Sequence, residues 1–341
     1  MIGVDTKIAV AGAGSIGCHA GGCLALAGRR VSLLCRPALA DAVEKRGLRI
    51  VDLGGGVRDV PAGAIGAESD PAVALADAGV VLVTVKSHDT AAMAELVARR
   101  ARADAVVVSL QNGVRNAETL RRTLPATMRV VTGMVPFNVV RGETAEGAPM
   151  FHRASSGSTL LAAGVPGLRD LLDVSGFPSA EHADLDAVLW GKLVMNLNNA
   201  FNALSGLPLA EQLGDRRWRR PFADQVSEAL DVLRAAGIRP RAAAGPPPAL
   251  IPSILRLPDW LFRILARRML SIDPQARSSM WEDLQRGRPT EIDEFQGVIV
   301  ALAERHGRTA PLSTRVVKLV RDAERAGAGS PVLTPEDMAG A

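Results

Sequence analysis

The stretch KIAVAGAGSIG, residues 7–17, decides the fold of this chain. It predicts an apolar strand that runs into a turn with the pattern G-x-G-x-x-G and then into a helix. Gly12 permits the tight turn between strand and helix, Gly14 lets the backbone approach a pyrophosphate, and Gly17 lets the helix lie close on the sheet. This arrangement predicts that a dinucleotide binds at the turn.

The helix after the turn supplies the groups that a phosphate needs. Its first residues, Ser15 and Ile16, offer free N–H groups, and the helix dipole places its positive end there. The glycine pattern alone is a weak signal, because glycines can also serve only to tighten a turn. Here a second strand, residues 31–35, follows on schedule. That setting favours a dinucleotide site over the purely structural alternative.

Strands and helices alternate along the first half of the chain. The runs 80–85 and 105–110 are continuously apolar, as expected of parallel strands that are buried on both faces. Because helical stretches separate these strands, the pattern indicates an α/β Rossmann-type domain with a mostly parallel, doubly wound sheet. Residues 48–60 predict two strands, and residues 130–161 are expected to complete the sheet with antiparallel strands.

A change to long helical periodicity near residue 182 predicts a second domain. The chain has 341 residues, which is more than one hydrophobic core usually supports. Residues 1–182 are expected to form the dinucleotide-binding domain, and residues 183–341 are expected to form an all-α domain. Helices are predicted over 183–204, 221–236, 276–285, 291–306 and 314–324, and one or two more are predicted over 250–269.

The charge balance bears on possible partners. The net charge of +4 is spread along the chain, which weakly favours an anionic small ligand and argues against nucleic acid. Two arginine-rich runs, residues 216–220 and 260–269, are predicted to be solvated helix faces with an aromatic side chain tucked beneath each.

Cysteine usage and hydropathy bear on the compartment. Cys18, Cys23 and Cys35 have no paired spacing, so they are expected to be buried apolar side chains of a cytoplasmic protein. The uncharged run 8–28 is long enough to span a bilayer, but its many glycines favour a soluble strand–helix unit. We therefore expect no membrane segment.

The composition excludes several mechanisms. The chain has no tyrosine, so the tyrosine–lysine chemistry of short-chain dehydrogenases is impossible. The five histidines show neither metal-ligand spacing nor a nucleophile elbow. We therefore expect no metal site and no Ser-His-Asp hydrolase.

Lysine is rare in this chain, with five lysines among 40 basic residues. A lysine can release a proton, whereas an arginine cannot. Lys86 closes the strand 80–85. Lys192 shares a predicted helix face with Asn196 and Asn199, and buried polar groups are costly unless they find partners or form a site. The alternative is that Lys192 reaches water at the domain edge.

Glu291 lies in a second group of polar residues, separate from Lys192, Asn196 and Asn199 in the sequence. It follows Thr290, which with Asp293 makes a capping-box-like start of a helix. Acids are favoured in a first helical turn for structural reasons alone. The residues by themselves therefore leave a structural role and a role in a site equally open.

Several motifs, taken in order, point to one family. They are GAGSIG (12–17), CR (35–36), VTVK (83–86), QNGV (111–114), WGKLVMN (190–196) and SSMWEDLQRGRPTEID (278–293). This set resembles the ketopantoate reductase (2-dehydropantoate 2-reductase) family over nearly the whole chain, and the last two motifs are far more selective than the glycine turn. The resemblance implies a cytoplasmic NADP-dependent oxidoreductase of pantothenate biosynthesis.

The resemblance also implies roles for individual residues. Lys192 matches the catalytic acid, and Glu291 completes the catalytic set. Asn196 and Ser279 match residues that bind the substrate.

The cofactor-binding residues implied by the resemblance include Lys86 and Asn112, which would lie beside the nicotinamide and its ribose. Arg36 matches the residue that holds the adenosine 2′-phosphate. The strand ends agree with this match, because an NAD site favours an acid near the end of the second strand, whereas a 2′-phosphate favours arginine. Here no acid occurs before Asp41, so NADPH is favoured.

Three departures from the family leave the 2-keto acid open. The substrate-binding asparagine of the family aligns with Ala200, unless Asn199 substitutes for it. Ala276 stands where a second polar residue is expected. The segment 246–272 is also longer and more apolar than in the family, and it could be a dimer face or a pocket wall.

The resulting hypothesis is an NADPH-dependent reductase of a small branched 2-oxo acid, with 2-dehydropantoate as first candidate. One alternative is a related reductase for another 2-keto acid, or a two-domain hydroxyacid or glycerol-3-phosphate dehydrogenase. The alternative from another class is an NADPH-binding sensor without catalysis. A homodimer is possible.

Overall fold

The computed structural model describes residues 2–266 and 275–339. The chain divides into two units, Met1–Leu185 and Asp186–Ala341. All described strands belong to the first unit, and the described part of the second unit is helical. The predicted fold class, a Rossmann-type α/β domain plus an all-α domain, is confirmed.

The first unit contains two sheets. Its strands are β1 (Ile8–Ala11), β2 (Val31–Leu34), β3 (Leu48–Val51), β4 (Val57–Val60), β5 (Gly66–Glu68), β6 (Val80–Val83), β7 (Val106–Ser109), β8 (Arg129–Met134), β9 (Val139–Glu143), β10 (Pro149–Arg153), β11 (Thr159–Ala162) and β12 (Ser179–His182). Its helices are α1 (Ser15–Leu26), α2 (Pro37–Arg46), α3 (Pro71–Ala74), α4 (Thr90–Arg100), α5 (Asn116–Thr123) and α6 (Leu168–Leu172).

The main sheet has the strand order β12-β11-β8-β7-β6-β1-β2-β5. Neighbouring strands are parallel except β8 and β11. Side chains along β1 alternate between two apolar cores, with Ile8 in one core and Ala9 in the other. Both faces of the sheet are therefore covered, which explains why its central strands are continuously apolar.

The second sheet, of order β4-β3-β10-β9, corrects part of the sequence analysis. Of the region 130–161, only β8 and β11 extend the main sheet, whereas β9 pairs with β10, and β10 pairs with β3. Burial alternates along β3 and β10, so each presents one apolar face. Ile50 and Phe151 on that face are fully buried, and this small sheet packs on α1.

The second unit contains more helices than predicted. They are α7 (Leu185–Asn196), α8 (Asn198–Ser205), α9 (Leu209–Gly214), α10 (Arg216–Ala235), α11 (Ile251–Leu255), α12 (Asp259–Leu265), α13 (Ser279–Gln285), α14 (Gln296–Arg305), α15 (Pro311–Ala326) and α16 (Pro335–Ala339). The sequence predicts one or two helices over 250–269, and the described part of this region contains two, α11 and α12. Residues 267–269 lie outside the described residues.

The single helix predicted over 183–204 is wrong, because it is interrupted at Leu197. The backbone of Leu197 keeps helical dihedral angles. Its carbonyl accepts a hydrogen bond of 2.9 Å from the side chain of Gln296. A distant part of the chain thus donates a hydrogen bond to the carbonyl of the residue between α7 and α8.

The arginine run 216–220 is not a fully solvated face. The Arg219 side chain is completely buried, and its guanidinium lies 4.1 Å from the centre of the Phe262 ring. It donates to the carbonyls of Leu213 and Leu257 and pairs with Asp259 at 2.9 Å. Because these contacts hold the turn before α12, Arg219 is a structural residue.

None of the described helices combines the length and apolar character needed to cross a lipid bilayer. The three cysteines are free thiols, and Cys18 and Cys23 are buried.

Candidate active site

The glycine turn requires glycine at two of its three positions for steric reasons. Gly12 has a φ of +111°, and a Cβ atom there would lie 2.6 Å from Cγ1 of Val85. A Cβ atom at Gly17 would overlap the carbonyl oxygen of Gly12. The hydroxyl of Thr84 donates to that same carbonyl, so the turn is fixed against the end of β6.

The third glycine has a different role. A Cβ atom at Gly14 would meet nothing within 4 Å, so open space lies beside this backbone. Gly14 is the N-cap of α1; no described side chain caps this helix, and its first turn carries no acid. The N–H groups at Ser15 and Ile16 therefore begin a helix that is open to an anion, and these residues fit a pyrophosphate.

Arg36 follows the second strand of the turn unit. It is the N-cap of α2 and is exposed. Sequence reasoning missed an acid nearby, because β5 pairs with β2 and brings Glu68 opposite Leu34. Burial, and to a lesser extent the charge of Glu68, raises the pKa of the Cys35 thiol to about 11. Both a cation and an acid are therefore available near this strand end.

Lys86 and Asn112 follow β6 and β7, and side chains between them tie these two strand ends together. The Ser87 hydroxyl donates to the Asn112 carbonyl at 3.1 Å. The Asn116 amide donates to the Ser87 hydroxyl at 3.1 Å and also to the Asn112 carbonyl. The two loops that carry Lys86 and Asn112 are therefore held as one structure.

A second layer of this network is buried behind the loops. Gln111 donates to the hydroxyl of Thr90 at 2.7 Å, and Thr90 donates to Asn116 at 2.9 Å. Sequence reasoning did not select Ser87, Thr90 or Asn116. Their signal was a set of small polar residues directly after two neighbouring apolar strands, where buried polar groups must pair.

Lys192 and Glu291 interact in the second unit. Lys192 lies on α7 and is half-buried, while Glu291 precedes the short 3-10 helix Ile292–Glu294 and is 7% exposed. Burial lowers the pKa of Lys192 to about 8, and the charge of Glu291 acts in the opposite direction by raising it. An ammonium with a pKa near 8 can release its proton at neutral pH.

The polar residues after Lys192 have distinct environments. Asn196 ends α7 and Asn199 lies in α8, and both are half-buried. Ala200 is fully buried, so its side chain is enclosed. Asn199, one position earlier, is partly accessible. The carbonyl of Ala276 accepts a hydrogen bond from the N–H of Leu209 at 2.9 Å.

The adjacent serines 278 and 279 differ in environment. Ser278 is buried, caps α13 by accepting from the Trp281 N–H at 3.2 Å, and donates to the Asn199 carbonyl at 2.9 Å. Its own N–H donates to Asn202 at 2.8 Å. Ser279 is exposed. Ser278 therefore joins α13 to α8, and Ser279 stands accessible beside that junction.

One close approach beside Lys192 was not foreseen. A Cβ atom at Gly191 would overlap the carbonyl of Arg241, whose N–H donates to the Ala187 carbonyl at 2.8 Å. The extended segment around Arg241 thus packs directly on α7. A glycine inside an otherwise regular helix was the available signal.

Two family models match the chain. The model for ketopantoate reductase PanE/ApbA matches residues 8–163, and the model for its C-terminal domain matches residues 184–324. The chain belongs to the ketopantoate reductase family.

Individual ketopantoate reductases agree with this assignment. A curated 2-dehydropantoate 2-reductase from Halobacterium salinarum is 28% identical over 94% of this chain and 100% of its own length. The crystal structure of a ketopantoate reductase from Ralstonia eutropha JMP134 has a TM-score of 0.79 and 30% identity over 94% of this chain and 99% of that chain.

A third similar structure shares the fold alone. It is D-mandelate dehydrogenase with NADH and anilino(oxo)acetate, with a TM-score of 0.74 and 20% identity over 94% of this chain and 99% of that chain.

As a member of the ketopantoate reductase family, the chain is an oxidoreductase that depends on a pyridine nucleotide. No group of three or more His, Cys, Asp or Glu side chains suited to a metal ion occurs among residues 2–266 and 275–339.

Proposed function

We propose that this protein uses NADPH to reduce a small branched 2-oxo acid, with 2-dehydropantoate as the first candidate. The observation that carries the proposal is the pairing of Lys192 with Glu291. A partly buried ammonium whose pKa lies near 8 beside a buried carboxylate is a suitable proton donor for a ketone that becomes an alcohol.

The cofactor assignment is supported by the glycine turn and Arg36. The open backbone at Gly14 and the uncapped start of α1 fit a pyrophosphate. The exposed guanidinium of Arg36 would hold a 2′-phosphate by charge-assisted hydrogen bonds. Glu68 supports NADH as the second candidate, because an acid can accept from a free ribose 2′-OH.

In the proposed reaction, bound NADPH supplies the hydride. Lys192 donates a proton from Nζ to the developing alkoxide oxygen of the substrate. Glu291 favours the charged form of Lys192, so the proton donor is protonated before the reaction. Asn196, Asn199 and Ser279 hold the carboxylate and hydroxyl of the substrate, which orients its ketone for transfer.

The identity of the 2-oxo acid depends on α8. Because Ala200 is enclosed, Asn199 is the residue that would replace the missing asparagine contact. If Asn199 holds the hydroxyl of 2-dehydropantoate, Asn199→Ala should raise KM for that substrate and leave KM for a 2-oxo acid without a hydroxyl unchanged.

The test is a substrate screen that follows NADPH absorbance with 2-dehydropantoate and other 2-oxo acids. Turnover should be lost in Lys192→Ala, while NADPH binding measured by fluorescence is retained. Unchanged turnover in Lys192→Ala would reject the catalytic assignment. Tight NADPH binding without turnover on any 2-oxo acid would instead support the sensor.

We also propose a homodimer that works in the cytoplasm. The free cysteines fit a reducing compartment. Trp260, Ile264 and Leu265 on α12 are more than half exposed, and such apolar side chains favour association. Light scattering should give twice the chain mass, and a monomer at micromolar concentration would reject the dimer.

A further inference from the structure

The segment that carries Glu291 is held by a helix outside the family motifs. Glu324, near the end of α15, accepts a hydrogen bond from the N–H of Thr290 at 2.7 Å. Arg321, one turn earlier, pairs with Asp293 at 2.6 Å. The same helix therefore contacts the chain on both sides of Glu291.

The two contacts differ in strength. Arg321 and Asp293 are each at least half exposed, and water and salt screen such pairs. Thr290 is only 8% exposed, and its N–H faces an ionised acceptor, which makes a short and strong hydrogen bond. Glu324 is therefore the main anchor of this segment.

Glu324 contacts Thr290, the residue directly before Glu291. The Thr290 hydroxyl in turn accepts from the Ile292 N–H at 3.3 Å, so backbone groups on both sides of Glu291 are fixed. Glu291 is itself buried, and its charge acts on Lys192. The electrostatic effect of Glu291 on Lys192 weakens with distance. This effect therefore depends on the position of the segment that carries Glu291.

We propose that Glu324 is a positioning residue that holds Glu291 at its working distance from Lys192. The inference rests on the proposed function, because it assigns Glu324 a part in loading the proton donor. The contact of Glu324 with this segment is its hydrogen bond from the Thr290 N–H. It acts through the backbone at Thr290, and it thereby sets how readily Lys192 carries a proton at neutral pH.

Two substitutions separate the hydrogen bond from the charge. Glu324→Asp keeps the charge but shortens the side chain, so the Thr290 N–H is no longer reached. Glu324→Gln removes the charge but keeps an acceptor oxygen at the same reach. Glu324 lines a cleft with Gly287 and Pro289, so water can enter and pair with the released N–H, which favours folding of both variants.

The measurement is the pKa of Lys192 in the full-length protein, followed by NMR of isotope-labelled lysine. The chain has five lysines, so the spectrum contains few lysine resonances. The resonance that disappears in Lys192→Arg is that of Lys192. Glu324→Asp should lower this pKa by at least half of the shift that Glu291→Gln causes. Glu324→Gln should keep the wild-type pKa, and so should Asp322→Asn, a charge control on the same helix.

Activity gives a second readout. In Glu324→Asp, the alkaline fall of kcat/KM should move to lower pH together with the pKa of Lys192, and Glu324→Gln should restore the wild-type profile. A wild-type pKa in Glu324→Asp, with a shifted pKa in Glu291→Gln, would overturn the positioning role alone. No shift in Glu291→Gln would overturn the ion pair and the positioning role with it. Equal shifts in Glu324→Gln and Asp322→Asn would show a charge effect and also reject the role.

Discussion

The charge of Glu291 opposes the effect of burial on the pKa of Lys192. Burial lowers the pKa of Lys192 to about 8, and the carboxylate of Glu291 raises it. Without Glu291 the buried amine would lose its proton at still lower pH. The pair thus keeps a lysine both charged and ready to release its proton near neutrality, which a solvent-exposed lysine does not do.

This coupling predicts the pH dependence of the reduction. The donor must be protonated, so kcat/KM should fall as the pH rises through about 8. Glu291→Gln removes the group that raises this pKa, so the fall should move to lower pH. Initial rates across the pH range check this, and an unchanged profile in Glu291→Gln would contradict it.

The same lysine should affect stability. Its ordinary pKa of 10.5 falls to about 8 on folding, so between these values the unfolded state binds more protons and this group's contribution to stability rises with pH. At pH 7 the charged amine is destabilising. In a Glu291→Gln background, where no buried carboxylate loses its partner, Lys192→Met should therefore increase the free energy of unfolding by about 1 to 3 kcal/mol. Urea unfolding at pH 7 and at pH 10.5 should show this gain shrinking as the pH rises from about 8 to 10.5. An equal gain at both pH values would contradict the assignment.

Arg36 should distinguish NADPH from NADH. Loss of a charge-assisted contact to a 2′-phosphate costs about 1.5 to 3 kcal/mol, so Arg36→Ala should raise KM for NADPH by roughly 10- to 100-fold and change KM for NADH little. Lys45→Ala on the same helix, which removes an exposed pair with Asp41, is the control. Equal effects on both cofactors would reject the phosphate role.

The glycines of the turn should respond differently to alanine. Gly12→Ala meets Val85 at a positive φ, so it should destabilise the protein by roughly 2 to 4 kcal/mol. Gly14→Ala meets no neighbour, so its melting temperature should stay close to wild type while cofactor affinity falls. Thermal melts with cofactor titrations check both, and full affinity in Gly14→Ala would argue against a pyrophosphate at this backbone.

Ser278 and Ser279 form a similar matched pair. Ser278→Ala removes a helix cap and the bond to Asn199, so it should cost about 1 to 2 kcal/mol of stability. Ser279→Ala changes an exposed hydroxyl, so it should keep the melting temperature and raise KM for the 2-oxo acid. If Ser279→Ala leaves KM unchanged, Ser279 does not bind the substrate.

The local features of the chain could be predicted because their causes are local. The turn at Gly12, the buried strands after it and the change to helical periodicity near residue 182 follow from steric limits and from the spacing of apolar residues. The unusual lysine at 192 was also recognisable, because lysine is rare in a chain whose basic residues are mostly arginine, and lysine can release a proton whereas arginine cannot.

Tertiary structure decided everything that joins distant residues. Four features depend on partners far along the chain: the small sheet over α1, the hydrogen bond from Gln296 to Leu197, the buried pairing of Arg219 and the place of Glu68 beside β2. No local pattern encodes them, because a polar group is satisfied by whichever partner the fold brings within reach. The sequence by itself determined the glycine turn of the first strand–helix unit and the unusual lysine on a predicted helix face that it shares with two asparagines. Only the folded chain decided that the charge of Glu291 acts on Lys192 and that Glu324 holds the backbone next to Glu291, because burial and charge coupling act through space.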